Sequence, residues 1–170
     1  MKIAIIGDIH FPDRADDLPT DFLTRIKEEK PDLLIYTGDL TSEKTLEVLK
    51  SLEIPLVIVE GNVDYLSFPK KEIIERDWAK ILVFHSTEVY PRGDLEKIYK
   101  IAKKENCNVV IFGHTHLPLF TFWKDIFFIN PGSATGAYSG EGVLPPRSFC
   151  ILEINKNGLK ISFEVIRKWK

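Results

Sequence analysis

Asp8 and His10 stand two residues apart, just after the apolar run 2–7. In extended chain the side chains of residues i and i+2 point the same way, so both can reach one ion. A lone Asp-x-His pair has little specificity. The pattern recurs, however, at the end of each apolar run. Asp39 follows the second run in Gly38-Asp39, and Asn62 follows the third in Gly61-Asn62-Val63-Asp64. His85 closes a fourth, and His114 and His116 follow a fifth in Gly113-His114-Thr115-His116. Each has a bland use when taken singly: Asp as a helix cap, Asn as a turn residue, His as a polar tip. Taken together these uses lose force. The chain has 4 histidines, and every one terminates an apolar run, whereas generic surface histidines would also fall on helix faces.

The chemistry that suits such a set is metal binding. Imidazole, carboxylate and amide oxygen, with no thiolate, suit Mn, Fe, Ni or Zn. Asp8, His10, Asp39, Asn62, His85, His114 and His116 are more ligands than one ion takes, so two ions are the simpler account. The glycines before Asp39, Asn62 and His114 let the backbone turn tightly or approach an ion closely. Cys107 and Cys150 lie apart in apolar surroundings and read as isolated buried thiols, not as a disulfide or a metal pair.

The elements that must position these residues follow from periodicity. The runs 2–7, 33–37 and 55–59 read as buried strands. Between them lie two helices. One starts at Pro19-Thr20 with Phe22, Leu23 and Ile26 on its inner face, and one is capped by Ser42 with Leu46, Leu49 and Leu52 at helical spacing. The order β-α-β-α-β implies parallel pairing. In the second half, 72–75 and 79–85 read as a hairpin, and Asp94 caps a helix through Leu95, Ile98, Ile101 and Ala102. Strands at 109–112, 119–123 and 126–129 follow, and Asn157-Gly158 joins a last pair. The expected fold is α/β, a four-layer αββα sandwich forming a single domain over 1–170, with function at the loops beyond the strand ends.

Composition excludes several alternatives. At 170 residues, 44% hydrophobic and 28% charged, the chain is an ordinary globular domain. Lys and Arg number 23 against 25 Asp and Glu, a net charge of -2 that offers no long-range attraction to a nucleic-acid polymer or an anionic membrane. The final stretch Arg167-Lys168-Trp169-Lys170 reads as a solvated chain end. No apolar run approaches the ~20 residues that span a bilayer. The opening run stops at Asp8 and lacks a cleavage site, so the cytoplasm is the expected compartment.

The motif order Asp-x-His, Gly-Asp, Gly-Asn, His, Gly-His-x-His resembles the calcineurin-like metallophosphoesterase superfamily over residues 8–138. The likeness is nearest to its small single-domain bacterial and archaeal phosphodiesterases. The run Asp8-Ile9-His10-Phe11-Pro12 and the run NPGSATGAY at 130–138 also resemble the phosphoesterase-like subunit of retromer. The resemblance implies that Asp8, His10, Asp39 and His116 hold one divalent ion, and that Asp39, Asn62, His85 and His114 hold a second, with Asp39 bridging. It further implies Mn2+ as the probable ion, with Ni2+, Fe2+ or Zn2+ as alternatives, and a hydroxide activated between two ions that attacks a small phosphodiester. Asp39 and Asn62 are then the residues nearest the chemistry. The loop 130–133 shapes the pocket wall.

Three departures bear on function. Many relatives carry, after Gly-Asn, a His that protonates the leaving oxygen; here Val63 stands there, leaving Asp64 or water as the alternative proton source. Phe11 replaces the usual Gly after the first His, and Ser86 replaces a Gly after His85. The competing expectation is a non-catalytic metal-binding scaffold for protein partners, like the retromer subunit, marked by exposed apolar residues in segments such as 117–123. Homo-oligomers are compatible with either.

Overall fold

The structure, a computed structural model, describes residues 1–140 and 144–166. The cationic end at 167–170 lies outside the described residues. Every residue of β1 (Lys2–Ile6) after Lys2 is buried, because this strand has a packed layer on both faces. Ile3 and Ile5 point into the space between two sheets, and Ala4 and Ile6 point to a helical layer outside. That is the period-two alternation of a central strand.

The first sheet grows from β1 through α1 (Thr20–Glu28), β2 (Leu33–Tyr36), α2 (Glu43–Lys50) and β3 (Leu56–Ile58). Its three strands pair in parallel, as the order of elements requires, with Ile3 opposite Leu33 and Leu34 opposite Leu56. Phe22, Leu23 and Ile26 of α1 and Leu49 of α2 are buried on this sheet's outer face. Each such side chain stabilises the fold by about 1.5–3 kcal/mol. Ser42 caps α2 by accepting the Thr45 amide at 3.2 Å. No side chain caps α1. The expected third strand, 55–59, is trimmed at both ends, although the Val59 amide still donates to the Tyr36 carbonyl at 3.2 Å.

The second sheet contains β4 (Lys71–Arg76), β5 (Ala79–Phe84), β6 (Val109–Phe112), β7 (Pro118–Trp123) and β8 (Ile126–Pro131). Its outer face is covered by α3 (Leu95–Lys104), which Asp94 caps through the Lys97 amide at 3.1 Å. Ile98 and Ala102 are its buried face. The chain then returns to the first sheet with the hairpin β9 (Arg147–Asn155) and β10 (Gly158–Ile166). The strand orders are β10-β9-β1-β2-β3 and β4-β5-β6-β8-β7. Ile35, Ile81, Val83, Ile111 and Leu152 fill the space between the sheets. The result is the αββα sandwich that the periodicity predicts.

One consequence of this topology positions the site. β1, β2 and β3 run parallel to one another, as do β5 and β6. Loops leaving the carboxyl ends of such strands gather on one edge of the molecule, where polar backbone and side chains do not disrupt the core. Among the described residues, no helix is long and apolar enough to cross a membrane. Cys107 and Cys150 are both buried free thiols.

Candidate metal centre

The loops after β1, β2, β3, β5 and β6 bring all seven singled-out residues together. Asp8, His10, Asp39 and His116 form one group whose ligand atoms lie within 4.8 Å of one another; Asp39, His85 and His114 form a second by the same measure. Asp39 belongs to both. Its Oδ2 sits 3.2 Å from His10 Nε2 and 3.3 Å from His85 Nε2. Asn62 joins the second group, with Oδ1 3.2 Å from His85 Nε2.

The backbone shows how much the sequence gives up to build this. Asp8, His10, Asp39, His114 and His116 all have positive φ, between 48° and 71°. For residues with a Cβ that region costs roughly 1–3 kcal/mol each, and it persists where the surroundings enforce it. Two glycines allow the close approach. A Cβ on Gly38 would lie 2.5 Å from His85 Nδ1, and one on Gly61 would lie 2.2 Å from Asp39 Oδ1.

Cross-braces fix the rings. His85 Nδ1 lies 2.7 Å from the Thr37 carbonyl and His116 Nδ1 lies 2.6 Å from the Ala137 carbonyl. With Nδ1 donating to a carbonyl, each ring turns the lone pair of Nε2 towards the centre, as metal-binding histidines are commonly oriented. Tyr36 is fully buried; its hydroxyl accepts from the Ile9 amide and donates to the Asp39 carbonyl, tying the first two loops. The segment 130–133 braces the loops. Asn130 Nδ2 donates to the Gly113 carbonyl at 3.0 Å, and the Ser133 hydroxyl donates to the Asp8 carbonyl at 2.7 Å.

Electrostatically the centre is frustrated without a cation. Burial opposes charge on Asp39, but hydrogen bonds from His10 and His85 outweigh it and hold this carboxyl well below the usual range. Burial likewise opposes charge on His85, but Asp39 and the charge of Asp8 prevail and raise it to about 9. His116 is raised because the Asp8 charge outweighs its burial. His114 goes the other way, to about 4, through burial and the charges of His85 and Arg92.

A fit test for metal can be made on the atoms themselves. Asp8 Oδ1 is buried and makes no aligned hydrogen bond, although it lies 3.3 Å from His116 Nε2. His10 Nε2 faces His116 Nε2 at 3.1 Å and His114 Nδ1 faces His85 Nε2 at 3.2 Å, contacts that need a proton between each pair in the metal-free chain. A buried carboxylate oxygen without a hydrogen bond and converging imidazole nitrogens are what a divalent cation satisfies. The donor set therefore fits divalent metal.

Sequence reasoning missed the part played by Asp64. Its two oxygens accept four backbone amides, from Asp39, Leu40, Thr41 and Gly61, at 2.6–3.1 Å. With both oxygens turned to backbone amides, this carboxyl is committed to holding the loops and is not placed to meet a leaving group. The residue spacing carries no sign of this, because two separate loops supply the amides.

Two facing sheets with Asp, Asn and His side chains at the carboxyl ends of their parallel strands are the construction of a metallophosphoesterase. The chain belongs to the calcineurin-like phosphoesterase superfamily, whose domain pattern matches residues 1–157. It is 43% identical over 135 residues to a probable metallophosphoesterase of Methanocaldococcus jannaschii, covering 79% of this chain and 69% of that one. It is 33% identical over 170 residues to a probable metallophosphoesterase of Methanothermobacter thermautotrophicus, covering 98% and 92%. Among solved structures, Vps29 of Entamoeba histolytica in complex with Zn2+ superposes with a TM-score of 0.90 at 33% identity, covering 97% of this chain and 92% of that one.

Proposed function

We propose that this chain hydrolyses small phosphodiesters with two divalent cations, Mn2+ being the first to try. Asp8, His10, Asp39 and His116 would hold one, and Asp39, Asn62, His85 and His114 the other. The observation that carries the reading is Asp39 Oδ2, poised between His10 Nε2 and His85 Nε2 so that one carboxylate serves both groups. Bound there, the cations supply Lewis acidity, making water nucleophilic near neutral pH and offsetting charge on the phosphoryl oxygens. The protein's own part is placement. Asn62 is solvent-exposed, with Oδ1 turned towards His85, so its amide hydrogens are left to hold a phosphate oxygen.

The preference for diesters rests on the leaving side. Val63 stands where relatives place a His, its amide donating to Asp39 Oδ1 at 3.1 Å, and the oxygens of Asp64 are occupied. A dianionic monoester departs through a looser transition state that puts more charge on the leaving oxygen than a diester's does. It therefore gains more from a positioned proton donor, and neither neighbour is placed to be one. The test compares an aryl phosphodiester with the matching aryl monoester, using one Mn-loaded preparation at one pH. Faster diester cleavage is expected; faster monoester cleavage would overturn the preference.

A second reading has its own observation. On the edge strand β7, Phe120 is 41% and Phe122 57% exposed, and Leu117 beside it is 43% exposed. The stretch 117–123 carries no charge, so beyond Pro118 this edge has no charged guard against pairing with another chain. Together with the likeness to Vps29, this favours a protein-binding role beside or instead of catalysis. Inactivity on every phosphoester with both ions bound would select it.

A further inference from the structure

Asp64 is not among the residues expected to touch metal, yet it is the most heavily hydrogen-bonded carboxylate near the centre. Its Oδ1 accepts from the Leu40 amide at 2.6 Å and the Thr41 amide at 3.1 Å. Its Oδ2 accepts from the Asp39 amide at 3.0 Å and the Gly61 amide at 2.7 Å. Three of these amides belong to the loop that carries Asp39 and the fourth to the loop that carries Asn62. Asp39 and Thr41 have φ of 61° and 59°, the left-handed conformation that turns successive N–H groups into one concave anion site. The protein fills that site with its own carboxylate. The grip is returned: the Val63 amide donates to Asp39 Oδ1 at 3.1 Å, leaving Oδ2 to face His10 and His85.

We propose that Asp64 is the positioning residue of this centre: by clasping the Asp39 loop to the Gly61-Asn62 loop, it sets the reach of the shared carboxylate and so decides whether a second cation is held. The inference rests on the two-cation reading above. The chemistry requires a carboxylate. Four amide donors need two acceptor oxygens, and an Asn would set its own NH2 against two of them. Freed of the clasp, the 39–41 loop can relax out of its left-handed turn, and the carboxylate of Asp39 no longer lies between its two imidazoles. The half of the centre built from Asp8, His10 and His116 is joined to the 38–41 loop through the Asp8 and His10 amides, but it also has braces of its own from Ser133, Thr135 and Ala137.

The experiment counts Mn2+ and reads its magnetic coupling, neither of which depends on turnover. Wild type should bind two ions and give the multiline spectrum of an exchange-coupled Mn pair. Asp64→Asn should still hold one ion on Asp8, His10 and His116, bind the second roughly 10–100-fold more weakly, as loss of an outer-sphere partner does, and lose the coupled signal. Tyr65→Phe is the control for simple loosening. The Tyr65 hydroxyl accepts the Glu43 amide at 3.0 Å near the start of α2, so this variant disturbs the same region without touching the clasp. It should keep two coupled ions. Two coupled ions at wild-type affinity in Asp64→Asn would overturn the proposal. If that variant does not fold, Asp64→Glu carries the test. It retains both oxygens but displaces them by one methylene, and should weaken the second ion by several-fold; wild-type affinity there would count against the clasp. Fewer than two ions in wild type would sink the two-cation reading and this proposal with it. Two coupled ions without hydrolysis would sink the phosphodiesterase reading alone.

Discussion

The two halves of the metal centre are built differently. Asp8, His10 and His116 are sealed, at 0–1% exposure, behind the segment 133–137. The half made of Asn62, His85 and His114 opens outwards: His114 is 7% exposed and Asn62 lies on the surface. The sealed half has a carboxylate of its own besides the shared one, whereas the open half adds only an amide and two imidazoles to Asp39. In the two-cation reading, more negative charge makes the sealed half the expected tighter site. The open half is the side from which substrate can approach. The sharpest tests are those that ask whether the halves can be separated.

The residue common to both gives the largest expected effect. Asp39→Asn preserves size but removes the charge that both imidazole pairs face. Turnover should fall by more than the ~10–100-fold associated with losing an outer-sphere partner. The fold should survive, because Asp39 lies beyond the end of β2 and outside the packed layers. Circular dichroism, ion count and turnover on one preparation check this; normal turnover with full metal occupancy would refute the bridging role.

Next in size are paired deletions that break the comparison directly. His116→Ala should abolish the tighter phase of a Mn2+ titration, while His114→Ala should abolish the weaker phase and spare the tighter one. Calorimetry of the two variants separates them. Equal loss of both phases in both variants would mean that the centre is one cooperative unit and that the asymmetry in burial has no energetic counterpart.

Protons sharpen the comparison further. In the metal-free chain Asp39 and Asp8 raise His85 to about 9, so its ring is charged at neutral pH and must lose a proton before it can bind a cation. His114, lowered to about 4 by burial and the charges of His85 and Arg92, is already neutral. Raising the pH from 6 towards 9 should therefore tighten binding in the open half, by up to tenfold per pH unit for each proton released. That proton comes from His85 and not His114, while His116, also raised, adds proton release in the sealed half. Titrations in buffers of differing ionisation enthalpy measure the count. Binding with no proton release would contradict this.

How much of this was legible beforehand depends on where each feature's information lies. The strands carrying the ligands were readable because their apolar runs stop abruptly at Asp, Asn or His, and the caps Ser42 and Asp94 because their side chains act within one turn. Which residues could meet an ion followed from the strand ends. Three features could not be read. The clasp of Asp64 joins loops more than twenty residues apart in sequence. The left-handed turns at five of the ligands are imposed by those loops, because Asp and His tolerate this region better than most residues but seldom adopt it unaided. The exposure of Phe120 and Phe122 is set by β7 lying at a sheet edge, which is a fact of strand order and not of the strand's own sequence.

The smallest expected effect concerns the open half alone and rests on Val63. This residue is partly buried beside the shared carboxylate, with its amide donating to Asp39 Oδ1 at 3.1 Å. Its backbone is therefore fixed, and a longer side chain built there projects from a defined point. Val63→His places an imidazole where the leaving oxygen of a phosphate ester would depart. A fully positioned acid contributes ~10²–10⁴-fold in rate. A newly introduced ring has no partner to set its orientation or proton affinity, so a gain of roughly tenfold on the aryl monoester is the expected outcome, the low side of that range being out of reach without such support. The diester, whose tighter transition state places less charge on the same aryl oxygen, should change less. The ratio of the two rates is the quantity to measure, because it cancels differences in metal loading between preparations. A rise in the monoester share would show that the missing acid is what sets the preference. An unchanged ratio with both ions bound would move the origin of that preference from the leaving side to the phosphoryl side, where Asn62 and the two cations meet the substrate.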